Sequence, residues 1–422
     1  MKRPTALQVA SIAVALAAAV LLGRMAVFLV DVDQQQLSIE PNDPWRTAHS
    51  CLSAYAEAAR FAEEPGTNIY DNAVYEGRFI HGLKVDAYHY PPPFLLLPSA
   101  VQRMSGGYLA MRPVWFVLQL AALVGAMLMI ASWLGPLRPR VLLAAPLLFI
   151  APTTLFTLQM GNFQSTAVAL SIIGMIALRS KRGPVQVAGG LALAFATLSK
   201  VFPGVLGVYL LAARRWRAAL CTVGAGVVFV GVTLLVFGSE PFDNFIHFEL
   251  PRLSSGEAFP QSELPRSAAI NQSFYGLLVK LRTLGLTGLD IKTGLMLTSI
   301  YGVIVMVVAV AIAWRRRVRP EDRVTDVLVW LALLDLASFR SPFVGGAYGT
   351  IGTIWLLTIA IATASTLRGR LIWGACYLAL STATLLLPTP VDTPSHAMVA
   401  FSVAAHLLMI GVNGAVVARA WR

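Results

Sequence analysis

The run ALQVASIAVALAAAVLLGRMAVFLV, residues 6–30, decides the fold class of this chain. Arg24 is its single charged side chain, and about 20 apolar residues are enough for a helix to cross a bilayer. Lys2 and Arg3 precede the run as in a signal peptide, but the run is long and lacks a clear small-x-small cleavage motif. We therefore predict a retained membrane helix at about residues 5–30.

Apolar runs of similar length recur along the rest of the chain. Of the 422 residues, 57% are apolar and 13% are charged, which excludes a soluble domain with a wetted exterior. The sequence predicts an all-α, polytopic integral membrane protein of about 12 transmembrane helices, folded as one membrane-embedded domain over residues 1–422. After the first helix we expect helices near 113–134, 141–158, 162–179, 218–237, 291–314, 324–339, 347–366, 371–387 and 396–418.

The charged residues give the expected orientation. Lys and Arg outnumber Asp and Glu by 33 to 21, and the net charge of +12 would suggest nucleic-acid binding in a soluble protein. Here the basic residues lie at the ends of apolar runs, as in RSKRG (179–183) and RRWR (214–217), which is the positive-inside pattern. We expect a multi-pass protein of the cytoplasmic (inner) membrane, with both termini cytoplasmic and no nucleic-acid partner. The acidic loops 31–112 and 238–290 become extracytoplasmic, the first with short interfacial helices.

The run 184–213 begins and ends with basic residues but is interrupted by SKVFPG (199–204). Because Pro203 breaks a helix, the run fits two short helices that meet near the outer face, with Lys200 at the outer tip. A lysine there is badly placed to reach the cytoplasm and well placed to meet an external anion. The three cysteines, Cys51, Cys221 and Cys376, show no metal-binding spacing, so we expect no zinc site and no disulfide framework.

Polar side chains that are scattered in the sequence come to the outer ends of the helices in this topology. A charged group near the bilayer is costly and tends to mark function. The candidates are Asp86, Tyr88, His89, Tyr90, Gln159, Asn162, Gln164, Lys200, Asn271, Gln272 and Arg340.

Several of these candidates also have a structural interpretation. Gln159, Asn162 and Gln164 are explained equally well as helix-end caps or as partners in interhelical hydrogen bonds. Arg340 has Asp335 about one helical turn away as an ion-pair partner. Tyr88 is explained equally well as an aromatic anchor at the membrane interface.

Lys200 and Arg340 suit the neutralisation of a phosphate or pyrophosphate leaving group, the anion most available on a lipid carrier at that depth. An attacking sugar hydroxyl then needs a general base, normally a carboxylate. In a single-displacement, inverting reaction one carboxylate is enough, and no covalent intermediate forms. We expect no cofactor, and the metal requirement stays open.

Five stretches together resemble one known family. They are YHYPPPFLLLPSA (88–100), LQMGNFQ (158–164), LSKVFPG (198–204), INQSFYG (270–276) and SFRSPF (338–343). In this order they are similar to glycosyltransferase family 87, whose members include mannosyltransferases that use polyprenyl-phosphate mannose. The resemblance implies a GT-C fold with a site at its outer face, an acid in the first outer loop as base, and a polyprenyl-phosphate sugar rather than a nucleotide sugar as donor.

The sequence departs from the family pattern at the position of the general base. The family's usual position for its Asp falls near Cys51, which cannot serve, so we choose the closest upstream acid, Asp43, with Asp86 and His49 as alternatives. The late histidine-containing block of many members is SPFVGGAY (341–348) here, without histidine.

The sequence therefore predicts an enzyme, a membrane glycosyltransferase that moves mannose or another hexose or pentose from a polyprenyl-phosphate carrier to a lipid or glycan acceptor. The alternative is a flippase or transporter for lipid-linked sugars. It requires charged groups through the bilayer midplane, where Asp335 is the one deep acid that we identify.

Overall fold

The computed structural model describes residues 6–43, 47–264, 267, 269–318, 322–387 and 393–422. The first α-helices are α1 (Ala6–Val30), α2 (Cys51–Phe61), α3 (Leu96–Ser105), α4 (Tyr108–Trp133), α5 (Arg138–Ile150), α6 (Pro152–Gln159), α7 (Gln164–Ala177), α8 (Gly183–Ser199), α9 (Gly204–Ala212) and α10 (Trp216–Phe237). The later ones are α11 (Glu240–Asn244), α12 (Leu250–Ser255), α13 (Phe274–Thr283), α14 (Ile291–Arg317), α15 (Arg323–Ser338), α16 (Gly346–Gly349), α17 (Ile351–Thr363), α18 (Leu367–Leu386) and α19 (His396–Trp421).

The described part of the chain contains six helices that are long and apolar enough to cross a membrane, namely α1, α4, α10, α14, α18 and α19. The described residues form up to seven spans if α5 and α6, which meet at a bend of 61°, are one broken span. The helices α7, α8 and α17 are apolar but shorter, with 10–17 residues. The predicted all-α, multi-pass membrane class is confirmed, and the number of about 12 spans is not.

The run expected as one helix near 141–158 is divided by a bend. Ala151 is extended, with φ −63° and ψ 128°, directly before Pro152. A proline ring clashes with a helical conformation of the residue before it, while proline itself is well suited to the first position of a helix. For this reason α5 ends at Ile150 and α6 begins at Pro152. The structure therefore has two helices where the sequence predicted one.

The break predicted in the run 184–213 is present. Helix α8 ends at Ser199, Lys200 is extended with φ −140° and ψ 117°, and α9 begins at Gly204 directly after Pro203. An extended residue at this point frees the lysine side chain from the helix surface. The two short helices expected on either side of Lys200 are therefore confirmed.

We call the end of the molecule formed by residues 31–107 and 238–290 the loop end. A small sheet lies there, with β1 (His49–Ser50), β2 (Phe79–Ile80) and β3 (Leu83–Val85) in the order β1-β3-β2. The pair β1 and β3 is parallel, and β2 and β3 are antiparallel. This sheet fixes the start of α2 beside the chain that leaves β3.

Two apolar clusters stabilise the structure. One lies among the helices and contains about half of the residues of α15, with Trp330 and Trp355 fully buried. The other lies at the loop end around Tyr55, Phe94 and Trp115. Because the loop-end cluster is packed with buried aromatic rings, the residues attached to it are held in fixed positions.

Basic residues gather at the opposite end of the helices. Asp326 is only 2% exposed and accepts hydrogen bonds from Arg179 (3.0 Å) and from Nη2 of Arg316 (2.7 Å). A buried carboxylate with two guanidinium partners has its charge compensated. These ion pairs therefore join the segment after α7 to α14 and α15 at this end of the helices.

Candidate active site

A cavity of about 1990 Å³ begins at the loop end and extends along α14 as far as Trp314. It is lined by both loop segments, by the break between α8 and α9, and by the segment that follows α15. Eight residues predicted from the sequence line it: His49, Asp86, His89, Tyr90, Asn162, Gln164, Lys200 and Arg340. The fold thus brings cations, a carboxylate and amides from distant parts of the chain to one cavity.

The other five predicted residues are not among the described residues that line the cavity. They are Asp43, Tyr88, Gln159, Asn271 and Gln272. Asp43 is half-buried in a turn, and its backbone carbonyl accepts hydrogen bonds from the backbone N (3.0 Å) and Oγ1 (3.2 Å) of Thr47. The structure therefore places the acid chosen as base from the sequence away from the described cavity wall.

Asn271 is buried and supports the segment that carries Arg340. Its Nδ2 donates to the carbonyl of Pro342 at 3.0 Å, and its Oδ1 accepts from the backbone N of Val344 at 3.0 Å. A buried amide that satisfies two backbone groups holds that backbone in one conformation. Asn271 therefore positions the segment 340–344 from behind.

Gln272 and Gln159 are likewise engaged in buried hydrogen bonds. Gln272 accepts from Nζ of Lys280 (3.2 Å) and donates to Oγ of Ser402 (3.3 Å). Gln159 accepts from the backbone N of Ile39 at 2.8 Å. Both amides therefore have structural partners, but Ile39 and Gln272 lie outside the helices, so these contacts are not the interhelical hydrogen bonds considered for Gln159.

One side of the cavity is formed by His49, Cys51 and Asp86, which we call the acid corner. Nε2 of His49 lies 3.3 Å from Oδ2 of Asp86 and 3.7 Å from Sγ of Cys51. Nδ2 of Asn162 donates to Sγ of Cys51 at 3.3 Å. The three groups can also serve as metal ligands, since one ligand atom from each lies within 4.8 Å of the others.

The acid corner shifts the pKa values of its members. Burial is the largest single influence on the pKa of His49 and lowers it, but the Asp86 carboxylate and Cys51 together outweigh burial and raise this pKa to about 9. Burial raises the pKa of the Asp86 carboxyl, and the charges of His49, Lys84 and His89 oppose that rise. A carboxylate with a raised pKa is a stronger proton acceptor, which suits a general base.

Lys200 lies beside aromatic rings of the cavity. Its Nζ is 4.6 Å from the ring centroid of Tyr90 and 5.8 Å from that of Tyr348. It makes no hydrogen bond or ion pair with any residue that the structure describes. The ring faces attract the ammonium without neutralising its charge. Burial lowers the pKa of Lys200 to about 8, so most of the ammonium stays protonated at neutral pH and can meet an anion in the cavity.

Arg340 lies along α14 at the point where that helix has a glycine. A Cβ atom at Gly302 would come within 2.7 Å of Cδ and Nε of Arg340, so the glycine makes room for the arginine. Arg340 is exposed and forms no ion pair with Asp335 among the described residues. Asp335 instead accepts from Oγ1 of Thr353 and from Nδ2 of Asn413 (2.6 Å). The Arg340–Asp335 pair considered from the sequence is therefore absent.

The prolines that follow Tyr90 keep the chain extended before it enters a helix. Pro91 has φ −55° and ψ 148°, a short 3₁₀ turn covers Pro92–Leu95, and α3 begins only at Leu96. The hydroxyl of Tyr90 is 2.6 Å from that of Tyr55, while Tyr88 is fully buried. His89 and Tyr90, directly before the prolines, line the cavity.

His89 connects the two loop segments. Its Nδ1 lies 2.8 Å from Oε1 of Glu249, which is fully buried, and Nη1 of Arg252 donates to Oε2 of Glu249 at 3.1 Å. The same Nη1 donates to the carbonyl of Tyr70 at 2.9 Å. The chain of contacts His89, Glu249, Arg252 and Tyr70 therefore holds the second loop segment over the first.

We expect Glu249→Ala to destabilise the loop end. The substitution leaves Arg252 and His89 without their carboxylate partner, and breaking a buried ion pair costs about 3–5 kcal/mol. The measurement is the free energy of unfolding by chemical denaturation in detergent. The matched control is Glu257→Ala, which changes an exposed glutamate of the same loop and should cost less than about 1 kcal/mol. Equal stability of the two variants contradicts the assignment.

Several cavity residues were not identified from the sequence. Cys51 was considered only as a cysteine without metal-binding spacing and as a position where the usual base is missing. Tyr348 and Phe259 line the cavity through contacts that join segments far apart in sequence. Glu249 carried one signal, since an acid inside the apolar stretch FIHFEL (245–250) needs a partner when it is buried.

Comparison with known proteins gives three findings. The model of Glycosyltransferase family 87 matches residues 88–338. A curated relative from Mycolicibacterium smegmatis, a polyprenol-phosphate-mannose-dependent alpha-(1-2)-phosphatidylinositol pentamannoside mannosyltransferase, is 29% identical over 196 residues. The match covers 46% of this chain and spans only 42% of the relative's own length.

Two crystal structures of ArnT from Cupriavidus metallidurans are also similar, at 16% identity. The apo structure gives a TM-score of 0.33, with 89% of this chain and 73% of ArnT covered. The structure of ArnT bound to undecaprenyl phosphate gives a TM-score of 0.36, with 98% of this chain and 77% of ArnT covered. These scores are too low to support an inference about the fold, and the GT-C assignment stays a prediction. The family match covers more than half of the residues, and by it this chain belongs to glycosyltransferase family 87.

Proposed function

We propose that this protein transfers a sugar from a polyprenyl-phosphate carrier to a hydroxyl of a lipid or glycan acceptor at the outer face of the cytoplasmic membrane. One observation carries the proposal: Lys200 and Arg340 share a cavity with the Asp86 carboxylate. Neither cation forms an ion pair with a described residue. The cavity therefore offers the positive charges of Lys200 and Arg340 to an anionic substrate and the Asp86 carboxylate to a neutral one.

The two cations suit the phosphate of the donor. When the bond between the anomeric carbon and the phosphate oxygen breaks, its electron pair goes to that oxygen, and negative charge grows on the leaving polyprenyl phosphate. Fixed cations in a site with little water stabilise this charge more in the transition state than in the ground state. Lys200 and Arg340 come from the α8–α9 break and from the end of α15, so they approach the phosphate from two elements of the fold.

Asp86 suits the role of general base. The acceptor oxygen forms a bond to the anomeric carbon as the carbon–phosphate oxygen bond breaks, and the proton of the acceptor hydroxyl passes to the Asp86 carboxylate. A single displacement of this kind inverts the anomeric configuration. This assignment replaces Asp43 with one of the two alternatives named from the sequence, because Asp86 lines the cavity and Asp43 is not among the described residues that do.

The cavity extends along one face of α14, which suits a long apolar carrier. This extension is lined by Leu295, Thr298, Gly302, Met306, Val310 and Trp314. Residues at this spacing follow one stripe of a helix. A polyprenyl chain in this groove would bury apolar surface on both sides and place its phosphate near Arg340, which lies against Gly302.

The flippase alternative gains no support from the structure. Asp335, the deep acid that it needs, is 3% exposed, is bonded to Thr353 and Asn413, and does not line the described cavity. A path for a charged headgroup requires accessible polar groups along its length. We therefore propose catalysis and not transport.

The test is a transfer assay with the full-length protein in proteoliposomes. Polyprenyl-phosphate mannose is the first donor to try, because the curated relative is named for its dependence on polyprenol-phosphate mannose. Lipid extract from the native membrane supplies the acceptor, and mass spectrometry identifies the product. We expect a product one sugar heavier than its acceptor, with no activity from a nucleotide sugar. Movement of the intact donor between leaflets without any product contradicts the proposal.

A further inference from the structure

We propose that the acid corner, His49, Cys51 and Asp86, is a binding site for a zinc ion. Nε2 of His49 is 3.3 Å from Oδ2 of Asp86 and 3.7 Å from Sγ of Cys51. Zinc bonds of about 2.0–2.2 Å to nitrogen and oxygen and about 2.3 Å to sulfur, in tetrahedral geometry, separate neighbouring ligand atoms by about 3.3–3.6 Å. Both distances from His49 are close to this spacing, and all three ligand atoms lie within 4.8 Å of one another, so a small movement of Cys51 or Asp86 would place the three side chains around one ion.

The small sheet builds this spacing. In the parallel pair of β1 and β3, His49 lies opposite Lys84 and Ser50 opposite Val85, so Cys51 and Asp86 follow at the next step. Ser53 fixes this junction, because its Oγ donates to the carbonyl of Ser50 and accepts from the backbone N of Asp86 at 3.2 Å. The ligands therefore stand on backbone that is ordered by hydrogen bonds that do not depend on an ion.

The chemistry of the three groups favours zinc over magnesium or calcium. Thiolate and imidazole are ligands that zinc accepts readily, whereas magnesium and calcium prefer sets made of oxygen atoms only. The charges of a Cys51 thiolate and an Asp86 carboxylate sum to −2, which balances Zn²⁺. Nδ2 of Asn162 donates to Sγ of Cys51 at 3.3 Å, a contact of the kind that orients a thiolate ligand from outside the metal's own coordination sphere.

The open fourth position gives the ion a role in the reaction, and this part of the inference rests on the proposed function. All three ligands line the cavity, so a zinc ion held by them can accept one oxygen ligand from the cavity side. An acceptor hydroxyl bound there loses its proton more easily, because the ion stabilises the alkoxide. The second oxygen of Asp86 remains available to take that proton.

Zinc binding is tested on the full-length protein in nanodiscs, purified with an affinity tag that contains no histidine. After removal of metal with a chelator, the protein is titrated with Zn²⁺, and bound metal is measured by mass spectrometry. In parallel it is titrated with Co²⁺, whose thiolate complex absorbs in the near ultraviolet. We expect about one ion per chain and a cobalt–thiolate band, as a single mononuclear site with one Cys predicts.

Cys51→Ser should remove the cobalt–thiolate band and lower the affinity for zinc at least about 100-fold. The chain offers two matched controls, Cys221→Ser and Cys376→Ser, which change free cysteines in α10 and α18 and should leave both readouts unchanged. His49→Gln is a second ligand variant that keeps the cysteine. It serves if Cys51→Ser does not elute as a monodisperse protein.

The outcomes separate this inference from the proposed function. A wild-type protein that binds no zinc, or a cobalt band that survives in Cys51→Ser, overturns the zinc site. Sugar transfer by protein stripped of metal overturns the catalytic role of the ion and leaves the proposed function in place. Zinc bound at the acid corner without any transfer from a polyprenyl-phosphate sugar overturns the proposed function and leaves the site in place.

Discussion

Lys200→Ala is expected to lower kcat/KM for the polyprenyl-phosphate sugar by about 10²–10³-fold, the usual loss when one fixed donor to a developing negative charge is removed. The ammonium of Lys200 is held between the rings of Tyr90 and Tyr348. Alanine removes the charge without disturbing either ring. The measurement is initial-rate transfer in proteoliposomes over a range of donor concentrations.

Two variants make the Lys200 result specific. Lys200→Arg keeps the positive charge and should retain part of the activity, although a planar guanidinium meets the phosphate with a different geometry. Lys181→Ala changes an exposed lysine between α7 and α8 and should have no effect. If Lys200→Ala folds normally and transfers at the wild-type rate, the ammonium does not act on the donor phosphate.

The position of Lys200 could be predicted because its causes are local. Pro203 and Gly204 interrupt an apolar run within a few residues of the lysine, and the basic residues at both ends of the run set its direction. Helix positions and breaks of this kind follow from neighbouring residues alone.

The acid corner could not be predicted in the same way. It depends on the pairing of β1 with β3, in which His49 lies opposite Lys84, 35 positions later in the chain. These strands have two and three residues and are too short to show the alternation that marks a strand. The sequence named His49 and Asp86 separately as alternatives for the base. It gave no reason to place them 3.3 Å apart or to add Cys51 to them.

The partners of Asp335 and Glu249 show the same limit. From the sequence, the nearest cation to Asp335 was Arg340, but helix packing brings Asn413 of α19 to the carboxylate at 2.6 Å. Glu249 is joined to His89 across a gap of 160 residues. A buried carboxylate needs partners, yet which residues supply them depends on tertiary packing.

Asp86→Asn should reduce kcat by about 10²–10⁴-fold, the range expected when a general base is lost. Asparagine has nearly the shape of aspartate, but its amide cannot take the proton of the acceptor hydroxyl. The donor phosphate contacts at Lys200 and Arg340 remain, so the KM for the donor should change much less than kcat. The measurement is the initial transfer rate at varied concentrations of donor and acceptor, from which kcat and both KM values are obtained.

Variants of two other acids test whether Asp86 or another carboxylate is the base. Asp43→Asn should leave kcat within a few-fold of wild type, because Asp43 is not among the described residues that line the cavity. Glu76→Gln changes an exposed acid that does line the cavity. If proton transfer requires the acid corner, this variant should also keep kcat within a few-fold of wild type. Inactivity of Asp43→Asn with an active Asp86→Asn would return the base to Asp43. The segment that carries Asp43 would then have to move toward the cavity when substrate binds, since a base acts only within hydrogen-bond reach of the proton it removes.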